Sequence, residues 1–178
     1  MYSSTIINMK GAFFMATSEK EQFVQNWDRE YQTTLKVLKA YPHDKHALQP
    51  HGKCPQAKDL AWKMVTEEKI FVEGAMTGQF DFMNQPKPPA TMKEVIAAYE
   101  KGHKENAGKL KKITDAEFNK MIKFMIAPKT VGDRRSADVL WIMLMDTIHH
   151  RGQFSIYLRM ANGKVPSIYG PTADEPWM

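Results

Sequence analysis

The sequence predicts an all-α domain, most simply a four-helix bundle. Apolar residues recur at three- and four-residue steps through four long segments, the period of one helix face. Two of those segments begin at capping boxes and three stop at Pro or Gly, and no convincing two-residue alternation marks a strand. Thirteen Met residues point weakly the same way, because Met is a flexible filler of helix contacts. A chain of 178 residues is long enough to bury one substantial core, and no repeat or boundary divides it. The expected domain is 18–178 with a C-terminal tail docked on the bundle. Residues 1–17 read as a flexible N-terminal extension, with Met9 and Met15 as alternative starts.

Ser18 and Glu21 form a capping box. Phe23, Trp27, Tyr31, Leu35 and Leu38 continue it as a helical stripe that Pro42 ends, so the first helix is expected from Ser18 to Ala40. YPHDKHALQPHGKCP reads as a loop, and its His43, His46 and His51 match no common metal-ligand spacing. Pro55 suits the first turn of a second helix, with Leu60, Met64, Phe71 and Ala75 inward and Gly78 as the stop after Thr77. NQPKPPA, 84–90, cannot be helical. Thr91 and Glu94 make another capping box, opening a third helix through Val95, Ile96, Tyr99, His103 and Leu110 to Lys112. His103 reads as a surface or satisfied core histidine. Thr114 and Glu117 cap a short further segment, and 118–126 is apolar with Lys punctuation, ended by Pro128 and Gly132.

The fourth helix, Arg134 to Ala161, closes at Asn162-Gly163. Val139, Ile142, Met143, Ile156, Tyr157 and Met160 are its expected buried stripe. Asp146, His149, His150 and Gln153 interrupt it. A rise of about 1.5 Å per residue sets Asp146 and His150 one above the other on one face. A carboxylate and an imidazole in an apolar seam are costly unless they pair, bind a metal or line a cavity. The second helix offers Glu67 or Glu68 as a further carboxylate. Two carboxylates and one imidazole suit zinc, iron, nickel or manganese, with positions left for water or substrate, and Gln153 could orient a ligand. In the other reading Lys63 pairs with Asp146 and the histidines bond to Gln153 or backbone. The Asp-x-x-x-His spacing alone leaves both open.

Several function classes are excluded or unsupported. No run of about 18 apolar residues is present to span a bilayer, and the N-terminus lacks the pattern of a secretory signal. Single Cys54 excludes an intrachain disulfide and fits a reducing cytoplasm. No Gly-rich phosphate loop is present, and Cys54 and the Ser residues have no evident His-acid partners. The net charge of +5 raises nucleic acid as a partner, but the Lys and Arg between Lys101 and Arg135 carry no binding motif and few aromatics, so a solvated basic face is expected.

HHRGQFSIYLRMANGKVPSIYGPTADE, from His149 to Glu175, resembles the signature of the DinB-like superfamily, four-helix bundles named for DNA-damage-inducible members. The AKDLAWKMVTEE stretch, helix order and length extend the likeness over most of the chain. The resemblance implies a metal site of three histidines, one in the second helix and two in His-x-x-x-His before Arg-Gly-Gln. It also implies a homodimer, and in some members transferase or isomerase chemistry with a low-molecular-weight thiol. Here His150 matches the last ligand, Asp146 stands at the first His of the pair, and Lys63 stands at the second-helix position. A charged Lys has no lone pair to donate, and Glu67 lies one turn beyond it. The expected ligands are therefore Glu67, Asp146 and His150, with His149 and Gln153 as acid/base or supporting groups for an unknown small-molecule substrate. Loss of the metal, leaving a non-catalytic binding or stress-response bundle, is the rival expectation. The resemblance also suggests a packing reason for mid-helix Gly152, an anchoring role for Arg151, and Tyr169 and Asp174 as tail contacts.

Overall fold

A computed structural model describes residues 17–178 of the chain. The expectations for residues 1–16, including both alternative starts, lie outside the described residues. In order come α1 (Glu19–Lys39), a 3-10 turn (His43–Lys45), α2 (Ala57–Thr77), α3 (Met92–Leu110), a one-turn α4 (Asp115–Phe118), β1 (Met121–Ala127), β2 (Thr130–Arg135) and α5 (Ser136–Met160). All three capping boxes form: Ser18 with Glu21, Thr91 with Glu94 and Thr114 with Glu117. Gly78 ends α2 in the left-handed region at φ 80°. Asn162 takes φ 59° after α5, while Asn162 N–H donates to Arg159 O and Gly163 N–H to Leu158 O, the paired bonds of a Schellman closure.

The hairpin corrects the all-α expectation. β1 and β2 pair antiparallel, Met121 opposite Arg135 and Phe124 opposite Gly132. Ile122 is buried and Phe124 half-buried, while Met121, Lys123 and Met125 face out, so the run alternates with period two. Ile122 and Phe124 join the core, and Phe124 packs on Phe71 and Phe80 with ring centroids 5.8 and 5.0 Å away. Pro128 fixes one turn dihedral and Lys129 takes φ 60°, which folds the chain back within two residues.

The four long helices share two contiguous clusters. One holds Leu35 and Leu38 of α1, Leu60 and Met64 of α2, Val95 and Tyr99 of α3, and Phe154 and Leu158 of α5. The other holds Phe23 and Trp27, Phe71 and Val72, Leu110, and Leu140, Met143 and Leu144, with Phe118 and Ile122 beside them. Each large side chain so buried contributes about 1.5–3 kcal/mol. The α5 stripe is only partly as expected. Val139, Met143 and Tyr157 are buried, but Ile142, Ile156 and Met160 are 39%, 61% and 50% exposed. Because α5 is apolar on both faces, periodicity alone could not tell which one the core takes.

The tail docks through a buried charge. Arg151 is 1% exposed. Its Nη1 donates to Glu30 Oε2 at 2.7 Å, the Tyr169 hydroxyl donates to the same oxygen at 2.7 Å, and the guanidinium lies 5.1 Å above the Tyr169 ring. Asp174 pairs with Arg159 at 2.6 Å and accepts from the Val165 backbone N–H. Gly152 is different: it is exposed, and a Cβ there would meet nothing, so neither a close crossing within the chain nor room for the tail accounts for it.

Candidate metal centre

The centre sits midway between α2 and α5, and two hydrogen bonds set their register. Ser136 Oγ at the start of α5 donates to Ala75 O near the end of α2 at 3.0 Å. The Tyr157 hydroxyl near the end of α5 donates to Pro55 O before α2 at 3.0 Å. The helices are thus antiparallel, and Glu67 comes opposite Asp146 and His150. His150 Nε2 lies 3.1 Å from Asp146 Oδ2 and 3.8 Å from Glu67 Oε2. One donor atom from each of the three lies within 4.8 Å of the others. Among the described residues this is the set of His, Cys, Asp and Glu groups that converges so; His43, His46 and His51 do not.

The protonation pattern follows from the neighbours. His150 Nδ1 is 3.0 Å from Gln153 Oε1, and a carbonyl oxygen can only accept, so Nδ1 carries the hydrogen. Nε2, the other ring nitrogen, is buried without a hydrogen-bond partner and is aimed between two carboxylates. A neutral imidazole with its far nitrogen bonded is the form that ligates a metal. The Gln153 amide continues to His149 Nε2 at 2.9 Å. His149 and Gln153 are exposed, so they flank the centre and do not enter the converging set.

Burial pushes the Glu67 carboxyl up to about 7; the Lys63 ammonium opposes this and the Asp146 carboxylate adds to it. The two carboxylates and the imidazole converge beside a single ammonium, that of Lys63. The donor set fits a divalent ion of the borderline-to-hard kind.

The network reading holds in part: both histidines bond to Gln153, but Lys63 Nζ stands 3.4 Å from Glu67 Oε1 and does not pair with Asp146. Its side chain is 44% exposed, while that of Glu67 is 15% exposed. Glu68, the other carboxylate offered by this helix, turns about 100° away. It is 3% exposed, 3.3 Å from His103 Nδ1, and accepts from Asn106 Nδ2 at 3.2 Å. Asp28 Oδ1 lies 3.3 Å from His103 Nε2, and Tyr31 stacks on that ring at 3.6 Å. His103 is therefore a satisfied core histidine. Helical spacing shows that 103 can face inward, but nothing local reveals partners 35 and 75 residues away. Most of the basic face, including Lys101, Lys104, Lys111, Lys112 and Arg134, is exposed.

The DinB family profile matches residues 15–177. The chain belongs to the DinB family. The fold is that of a DinB-like protein from Bacillus cereus ATCC 10987, with a TM-score of 0.72 at 22% identity over 84% of this chain and 97% of that one. A DinB-like protein from Bacillus subtilis gives 0.69 at 17% identity over 83% and 97%. The uncharacterized protein YrdA of Bacillus subtilis (strain 168) is 25% identical over 87% of this chain and 90% of its own length. Within this family frame the chain is mostly helical with one small two-stranded sheet. Among the described residues no helix is long and apolar enough to cross a membrane.

Proposed function

We propose that this DinB-family protein is a metal-dependent enzyme, a transferase or hydrolase, that holds one divalent cation on Glu67, Asp146 and His150. The observation that carries the reading is the buried, unbonded Nε2 of His150, aimed at two carboxylates. Zinc, nickel, iron and manganese all suit the donors, and when bound such an ion polarises a substrate or lowers the pKa of a bound water or thiol. Gln153 fixes the His150 tautomer, and exposed His149 is the group that accepts or returns a proton at the rim. The substrate is a small molecule, with a low-molecular-weight thiol as the co-substrate that the family resemblance supplies. The protein acts in the cytoplasm as a homodimer. Sedimentation of the native protein tests that pairing.

The test of the metal is elemental analysis of protein purified without a metal-affinity tag, beside Asp146→Ala. Near one equivalent of metal, lost in the variant, is expected. No metal in the native protein after exposure to zinc, nickel, iron and manganese overturns the reading. The Lys63–Glu67 ion pair then favours the second reading, a non-catalytic binding or stress-response module in which a lysine fills the charge left by a lost ion.

A further inference from the structure

Taking that metal reading as its premise, the geometry points to Lys63 as the anion-recognition group of the same centre. The substrate class would be a small oxyanion, a carboxylate or phosphate, held by the cation and this ammonium together.

Three observations carry it. Lys63 lies one turn before Glu67 on α2, its Nζ 3.4 Å from Glu67 Oε1, while Oε2 of the same carboxylate faces His150. The ammonium therefore already stands against the outer oxygen of a ligand. Next, the charges do not balance once a divalent ion is bound. Glu67 and Asp146 offset the ion, and Lys63 is left beside it with an unmatched positive charge; Glu67 is the carboxylate within 4.0 Å of its Nζ among the described residues. Two cations side by side repel, and an anion between them turns that repulsion into two attractions. Finally, the centre is open on this side. The Asp146 and Lys63 side chains are 40% and 44% exposed, and His149 and Gln153 beside them are exposed. The lysine stem is long and flexible, so the ammonium can leave Glu67 for an incoming anion without any movement of α2. A neutral or cationic substrate would leave the charge uncompensated.

The test uses manganese-loaded protein and two probes of equal size, glycolate and its neutral amide glycolamide, both able to chelate through a hydroxyl and a carbonyl-type oxygen. Binding is read from relaxation of the probe protons by the bound ion. Native protein should bind glycolate in preference to glycolamide. Lys63→Met should hold manganese as tightly as native or more so, and bind glycolamide unchanged. Its glycolate affinity should fall about tenfold, the value of one charge-assisted contact, and Lys63→Arg should restore most of it. Equal glycolate binding by native and Lys63→Met protein, or no native preference between the probes, overturns the assignment while leaving the metal site standing. Native protein that takes up no manganese, zinc, nickel or iron overturns the metal site and this inference with it.

Discussion

Gln153 does two jobs with one amide: its oxygen accepts from His150 Nδ1 and its nitrogen donates to His149 Nε2. Removing a group that orients a metal-bound histidine lowers metal affinity by about 10–100-fold. Gln153→Ala should show that loss in competition with a chelating dye, with an unchanged circular dichroism spectrum because the side chain is exposed. Arg151 makes the opposite case, a charge whose removal is felt by the fold. Arg151→Met leaves the Glu30 carboxylate buried without its partner, and breaking a buried pair costs about 3–5 kcal/mol. A fall of that size in urea stability is expected, and Arg151→Met with Glu30→Leu should recover much of it. At this scale Asp146 and His150 were legible, since helical spacing alone stacks them. Spacing alone did not choose between Glu67 and Glu68; the family resemblance did, by setting Lys63 at the second-helix position with Glu67 one turn on. Which of the two faces the centre depends on how α2 is rotated against its neighbours, and that rotation is fixed by contacts to residues far away in sequence.

Among the elements, α1, α3 and α4 announce their own starts. Ser18, Thr91 and Thr114 each accept from the backbone N–H three residues on, and the Glu there bonds back. Thr91→Ala should cost about 1 kcal/mol and lower the thermal midpoint with little change in helix content. The three boxes and the α2 stop were readable because all of their chemistry is local. The hairpin was not. Its inward set is only Ile122 and Phe124, with lysines at 120 and 123 that fit a helix surface equally well. What decides it is Phe124 meeting Phe71 and Phe80, two aromatics from another part of the chain. The α5 stripe misled for a related reason: a helix with Ile and Met on its outer face has no contrast by which to find the inner one.

Across the whole molecule, the tail depends on carboxylates whose pKa values lie below the usual range. The Val165 backbone N–H and then Arg159 hold Asp174 down, and Lys36 with the Ser167 backbone N–H hold Glu175 down. For groups depressed on folding, the stabilisation is complete above their ordinary values of 3.8 and 4.5. It is lost as pH falls through the lower folded values. Acidification from pH 5 should therefore release the tail before the helices melt. Limited proteolysis and Trp177 fluorescence report this, and Asp174→Asn with Glu175→Gln should remove most of the pH dependence.

The Arg151 contact also constrains how the chain matures during synthesis. Glu30 belongs to α1 and emerges early, Arg151 to the last helix, and Tyr169 later still. Domains generally begin to organise from the N-terminus as they are made. Until α5 arrives, Glu30 has beside it its exposed neighbour Arg29, 4.0 Å away, and the buried pair has no cover until Tyr169 follows. The buried charge of this protein is completed only once α5 and then Tyr169 have left the ribosome, and a nascent chain still lacking them presents that charge to water.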